Sequence, residues 1–150
     1  MRRVSAEGIA LIKSFEGCRL DCYRDIRGIP TIGWGQTGPD IRMGLRWTQE
    51  QADARFLEHL RKVEDDVERM LKGQRIPDSV FDAVCSWVYN VGSGNAEKST
   101  LMRKLRKGDL LGAWGELSRW VFVDSALTPG LIRRRKAEQD HWNKFLRRGK

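Results

Sequence analysis

Between Thr48 and Gly73 the apolar residues Phe56, Leu60, Val63, Val67 and Leu71 recur at alternating spacings of four and three. That period places one apolar stripe along a helix. The run opens on Thr48-Gln49-Glu50-Gln51, a capping box in which the first and last side chains satisfy each other's backbone amides. Gly73 closes it. At 1.5 Å per residue such a helix is about 35 Å long, so it divides the rest of the 150-residue chain into an N-terminal and a C-terminal portion.

In the N-terminal portion, Ser5 is placed to cap a first helix carrying Ile9, Ile12 and Phe15, with Gly17 as its stop and Glu16 as its end. From Cys22 to Gly38 the pattern changes to strand formers, Tyr23, Ile26, Ile29, Thr31, Ile32 and Trp34, broken by Gly28, Gly33, Gly35 and Gly38-Pro39. These residues predict a small antiparallel hairpin or three-stranded sheet. After the long helix, Pro77-Asp78-Ser79 opens another through Val91, and Gly92-Ser93-Gly94-Asn95 breaks it. Short helices are expected at Leu101 to Lys107 and Asp109 to Trp120. A last helix begins after Thr128-Pro129-Gly130, and the chain ends in the basic tail Arg147-Arg148-Gly149-Lys150.

The fold class read from this order is α+β in a single domain: a helix and small sheet lobe over about residues 1–47, a connecting helix over about 48–73 and a helical lobe over about 74–150. A cleft between the lobes is the expected binding site.

Lys and Arg outnumber Asp and Glu 28 to 20, a net charge of +8 that favours polyanions without choosing among them. Three cysteines without a CxxC or a Cys/His run imply synthesis in a reducing compartment and no metal site. Cys85 reads as core, and Cys18 and Cys22 as small, partly buried residues. His59 and His141 lie in charged helical stretches and are expected to face solvent, while most of the six tryptophans fall at packing positions. The N-terminal residues lack the apolar stretch of a secretory signal, and nothing approaches a membrane span.

Glu16 at a helix end and Asp25 nine residues later, with Thr31 returning near Asp25 across the hairpin, are the residues to which chemistry can be assigned. Glycoside hydrolysis needs one carboxylic acid to protonate the leaving oxygen and one carboxylate to activate water or attack the sugar. Glu16, with Phe15 beside it to exclude water, is the acid candidate, and Asp25, between Arg24 and Arg27, is the ionised partner.

The segments Glu16-Gly17-Cys18-Arg19-Leu20-Asp21-Cys22-Tyr23-Arg24-Asp25 and Gly28-Ile29-Pro30-Thr31-Ile32-Gly33-Trp34-Gly35 resemble the signature of the phage-type lysozymes, a glycoside hydrolase family. Val88-Tyr89-Asn90-Val91-Gly92, Ser99-Thr100-Leu101, Ser118-Arg119-Trp120 and Gly130-Leu131 with Arg134-Arg135 and Glu138 extend the resemblance over nearly the whole chain. It implies an endolysin muramidase with the lysozyme-like fold. Glu16 is then the general acid, Asp25 the base or electrostatic stabiliser, and Thr31 the residue that positions the water or the Asp25 carboxylate.

The same resemblance implies that Thr37, Tyr89 and Thr100 line the saccharide groove, and that no cofactor or metal is needed. The bond cut is the β-1,4 link between N-acetylmuramic acid and N-acetylglucosamine of bacterial peptidoglycan. The protein is expected to be a monomer with no specific nucleic acid and no stable membrane association. It is expected to stay in the host cytoplasm until a separate holin-like lesion releases it. Many relatives carry His where Gln36 stands, so an amide replaces that imidazole. Two other readings compete. A lytic transglycosylase on the same fold would use one acid and close the sugar on itself, which leaves Asp25 and Thr31 without a purpose. A nucleic-acid-binding protein would use Arg133-Arg134-Arg135-Lys136 and Arg147-Arg148. It leaves the Glu16-to-Thr31 pattern unexplained.

Overall fold

The computed structural model describes residues 2–148, and the basic C-terminal tail lies outside them from the Arg148 side chain onward. In chain order come α1 (Ala6–Glu16), β1 (Arg19–Arg24), β2 (Pro30–Gly33), α2 (Gln49–Leu71), α3 (Asp78–Val91), α4 (Ser93–Glu97), α5 (Thr100–Arg106) and α6 (Leu110–Glu116). A single 3-10 turn at Leu117–Arg119 leads to β3 (Phe122–Val123), β4 (Ala126–Leu127), α7 (Pro129–Trp142) and α8 (Phe145–Arg148). No described helix is long and apolar enough to cross a membrane. The chain forms two compact units, one made of residues Ile12–Lys62 and the other of those up to Leu11 and from Val63 onward.

In the Ile12–Lys62 unit the expected capping box forms. The Thr48 amide donates to Gln51 Oε1 at 2.8 Å and the Gln51 amide donates to Thr48 Oγ1 at 3.1 Å. β1 and β2 pair antiparallel with Tyr23 opposite Thr31 and Arg24 opposite Pro30, and the register shifts between Arg19 and Tyr23. The third strand allowed within Cys22 to Gly38 is reduced to an isolated bridge, Ile32 to Gln36, and a second bridge, Asp21 to Arg46, is flanked by Cys22 N–H to Leu45 C=O at 3.0 Å and Trp47 N–H to Leu20 C=O at 2.8 Å. Behind the sheet Cys22, Ile32, Ile41, Trp47 and Ala52 form a core, with Cys18, Leu20, Trp34 and Leu45 packed on it.

Gly33 is required where β2 turns back. Its φ is +66°, and a Cβ there would lie 2.7 Å from Gln36 Oε1 and 2.8 Å from the Trp47 ring. Only glycine meets both conditions.

The other unit is built on α3, whose residues from Ser79 to Tyr89 are all buried. α7 packs against it. Glu138, fully buried, accepts hydrogen bonds from Arg134 Nε at 3.3 Å, Arg135 Nη2 at 3.2 Å and the Ser86 hydroxyl at 2.6 Å. Arg134, Arg135 and Glu138 are thus a structural ion cluster.

A second polar cluster ties the chain start to the same pair of helices. The Asp82 carboxylate accepts the Ser5 amide at 2.9 Å, the Ser5 hydroxyl at 2.5 Å and His141 Nε2 at 2.9 Å. His141 is therefore buried rather than solvent-facing. Its neighbours in sequence are charged, but position 141 falls on the face of α7 that meets α3. Gly8 permits this approach, because a Cβ there would stand 2.6 Å from Asp82 Cγ.

Burial acts to raise the Asp82 pKa, but the hydrogen bonds from His141 and Ser5 outweigh it and leave that pKa below the usual carboxylate range. A depressed folded-state value means that the stabilisation is present above the unfolded pKa of about 3.9 and is lost as pH falls through the folded value. Asp82→Asn is therefore expected to lower stability at pH 7, with the gap to the parent protein closing below about pH 4. Urea unfolding at pH 7, 5 and 3 reads this directly, and a gap independent of pH would contradict it.

Two elements depart from the sequence expectation. Gly92, with φ of 90°, ends α3 by donating its N–H to Val88 C=O at 2.8 Å and at once accepts the Ala96 N–H at 3.1 Å to start α4. The sequence break is thus a restart. The β3–β4 hairpin turns on Asp124 and Ser125, both at positive φ (47° and 71°), a conformation usually signalled by Asn-Gly. Without a glycine it leaves no signature.

Candidate active site

Glu16 is the last residue of α1, and the helix stops because Gly17 enters the left-handed region (φ 64°) while its N–H still reaches Lys13 C=O at 3.1 Å. That stop delivers a partly exposed carboxyl group at the start of the sheet segment. β1 then carries the chain to Asp25, which closes a tight turn.

In this turn the Asp25 amide donates to Ile29 C=O at 3.0 Å, and Gly28 N–H donates to Asp25 C=O at 2.8 Å. Asp25 Oδ1 accepts the amides of Arg27 at 2.8 Å and Ile29 at 2.9 Å. The side chain is thereby fixed in direction by its own loop, as in an Asx turn. Among the described residues none donates to Oδ2.

Thr31 is buried on β2, 4% exposed, and its hydroxyl donates to Ile29 C=O at 2.8 Å. The same carbonyl takes the Asp25 amide, so one peptide group holds the backbone of Asp25 and the side chain of Thr31 together. With its proton committed, the Thr31 oxygen is left as an acceptor. The structure brings Thr31 beside Asp25 through Ile29, not by a direct bond between the two side chains.

Tyr23, opposite Thr31 in the hairpin, links the two carboxylates electrostatically. Its pKa is raised, first by burial, against the lowering influence of Arg19, and further by the negative charges of Glu16 and Asp25. Both acids therefore lie within electrostatic reach of one phenol. In the sequence Tyr23 is a motif residue with no role of its own.

Gln36 lies below this layer, 4% exposed. Its Oε1 accepts Trp34 N–H at 2.7 Å and its Nε2 lies 3.4 Å from His59 Nδ1. The amide thus braces the glycine turn against α2. His59 is half-buried, and burial, with Lys62 and Arg55 nearby, lowers its pKa and keeps it neutral at pH 7. Neither residue carries a signal from which this contact could have been read.

Of the residues expected to bind saccharide, Thr37 is exposed in the same unit as Glu16. Tyr89 and Thr100 belong to the other unit. Tyr89 is 7% exposed on α3, and Thr100 begins α5 with its hydroxyl accepting Arg103 Nη2 at 3.1 Å. In the basic run of α7, Arg134 and Arg135 are 4% and 1% exposed and paired with Glu138, so they are not available to phosphates.

The chain is similar to known proteins over most of its length. Residues 13–138 match the model of the Phage lysozyme family. A SAR-endolysin of Bacteriophage PS119 is 38% identical over 125 residues, which cover 83% of this chain and 74% of that protein. An endolysin of Acyrthosiphon pisum secondary endosymbiont phage 1 is 38% identical over 140 residues, 91% of this chain and 94% of its own length. Among solved structures, the muramidase domain of SpmX from Asticaccaulis excentricus superposes with a TM-score of 0.84 at 29% identity, covering 95% of this chain and 98% of that one. By sequence and by fold, this chain belongs to the phage lysozyme family and is an endolysin-type muramidase, a glycoside hydrolase whose substrate is peptidoglycan.

Proposed function

We propose that Glu16 is the general acid of this muramidase, that Asp25 is the base, and that Thr31 positions the water. The observation that carries the proposal is the state of the Asp25–Thr31 pair. One Asp25 oxygen is held by two amides, the other receives no donor among the described residues, and the Thr31 hydroxyl has its proton turned away toward Ile29. Such a pair suits a water molecule that gives one proton to Asp25 Oδ2 and directs the other to Thr31 Oγ1. Glu16 gives its proton to the leaving glycosidic oxygen, water adds to the anomeric carbon, and Asp25 takes the water proton. No cofactor takes part in this scheme.

The bond cut in this reading is the β-1,4 link from N-acetylmuramic acid to N-acetylglucosamine, with Thr37, Tyr89 and Thr100 contacting the glycan. Direct attack by water inverts the anomeric centre. Proton NMR of soluble glycan fragments within the first minutes of cleavage should show α-configured reducing ends before mutarotation. Products that appear first as the β anomer would assign Asp25 a nucleophilic role instead.

The protein acts as a monomer in this proposal and reaches the wall from the host cytoplasm through a separate holin-like lesion. Fractionation of expressing cells should find it outside the inner membrane only after the lesion forms. Earlier periplasmic protein would contradict that route.

A further inference from the structure

The segment between Glu16 and Asp25 carries a cation that the hydrolytic scheme does not use. Arg19 opens β1, and its guanidinium lies 4.3 Å from the centroid of the Tyr23 ring. The neighbouring charges on this hairpin are engaged. Asp21 faces Arg46 at 3.5 Å, and Arg24 Nη1 donates to Gly28 C=O at 3.1 Å. Arg19 is exposed and, among the described residues, has no carboxylate at ion-pair distance. Arg19 opens the strand that follows Glu16 at the end of α1 and ends at Arg24, directly before Asp25, so it lies on the segment that joins the two acids.

Stacking on an aromatic face restricts a long side chain before any ligand arrives, which reduces the entropy lost on binding. The planar fork so presented matches a carboxylate bidentately. In peptidoglycan the sugar hydroxyls and acetamides are neutral, and the muramic lactyl group is amide-linked wherever a peptide is attached. Carboxylates then come from the peptides.

The geometry points to Arg19, held by Tyr23, as the residue that binds a peptide carboxylate of the substrate beside the catalytic acids. Arg19 in this role sets substrate preference and takes no part in bond cleavage. The inference rests on the assignment of Glu16 and Asp25 as the reacting groups.

The test uses soluble peptide-bearing glycan oligosaccharides and the same material with its peptide carboxylates converted to primary amides. The parent protein should favour the carboxylate form by roughly two- to fivefold in kcat/KM, through KM, the range set by one exposed charge pair. Arg19→Gln should reduce that preference to about one, and Arg19→Lys should restore part of it. A parent protein indifferent to amidation, or an Arg19→Gln protein that discriminates as the parent does, overturns the inference. Glu16→Gln measured on both substrates separates this from a failure of the underlying assignment, because an active Glu16→Gln protein would remove the reacting groups themselves.

Discussion

Glu16→Gln is expected to abolish nearly all turnover while leaving the fold intact. The amide keeps the size and shape of the side chain at the end of α1 but has no acid proton, and positioned general acid catalysis contributes about 10²- to 10⁴-fold. The position is partly exposed, so the change in stability should stay below about 1 kcal/mol. Release of dye-labelled peptidoglycan fragments, with thermal unfolding as the control, measures both. A variant retaining more than about one tenth of the parent rate would not fit an essential acid.

Glu138→Ala is expected to have the opposite profile, a severe loss of stability. Its carboxylate is fully buried and is the ion-pair partner of both Arg134 and Arg135, which are themselves buried. Removing it takes the carboxylate away from two buried guanidinium groups, in addition to leaving a cavity on the α3–α7 packing face. Breaking one buried pair typically costs about 3–5 kcal/mol, and for a chain of this size each kcal/mol lowers Tm by about 2–4 °C. A fall in Tm of roughly 10–15 °C is expected. A shift of only about 1–2 °C would show that water reaches the cluster and that the arginines are not confined as described.

Structure is legible in this sequence wherever local chemistry decides it. The capping box at Thr48, the stop at Gly17 and the glycine turn after Thr31 each rest on residues whose conformational preference is strong, and each forms as read. The Glu16-to-Thr31 pattern is legible for the same reason, since both carboxylates are placed by short local turns.

His141 departs from its charged surroundings because its partner, Asp82, is 59 residues away, and only tertiary packing decides which face of α7 is covered. The Gln36–His59 brace spans 23 residues and is hidden in the same way. The hairpin at Asp124-Ser125 lacks the glycine that ordinarily announces its turn. The link from Asp25 to Thr31 runs through the Ile29 carbonyl, a backbone atom that carries no sequence identity at all.

The central claim is that Glu16 and Asp25 hydrolyse the glycan with water as the nucleophile. Mass spectrometry of fragments released from purified peptidoglycan by the parent protein, beside the Glu16→Gln protein, tests it most directly. The account predicts reducing-end N-acetylmuramic acid products from the parent protein and almost none from the variant. Anhydro-muramic acid products from the parent protein would contradict it, because they form when the sugar closes on itself and no water is added.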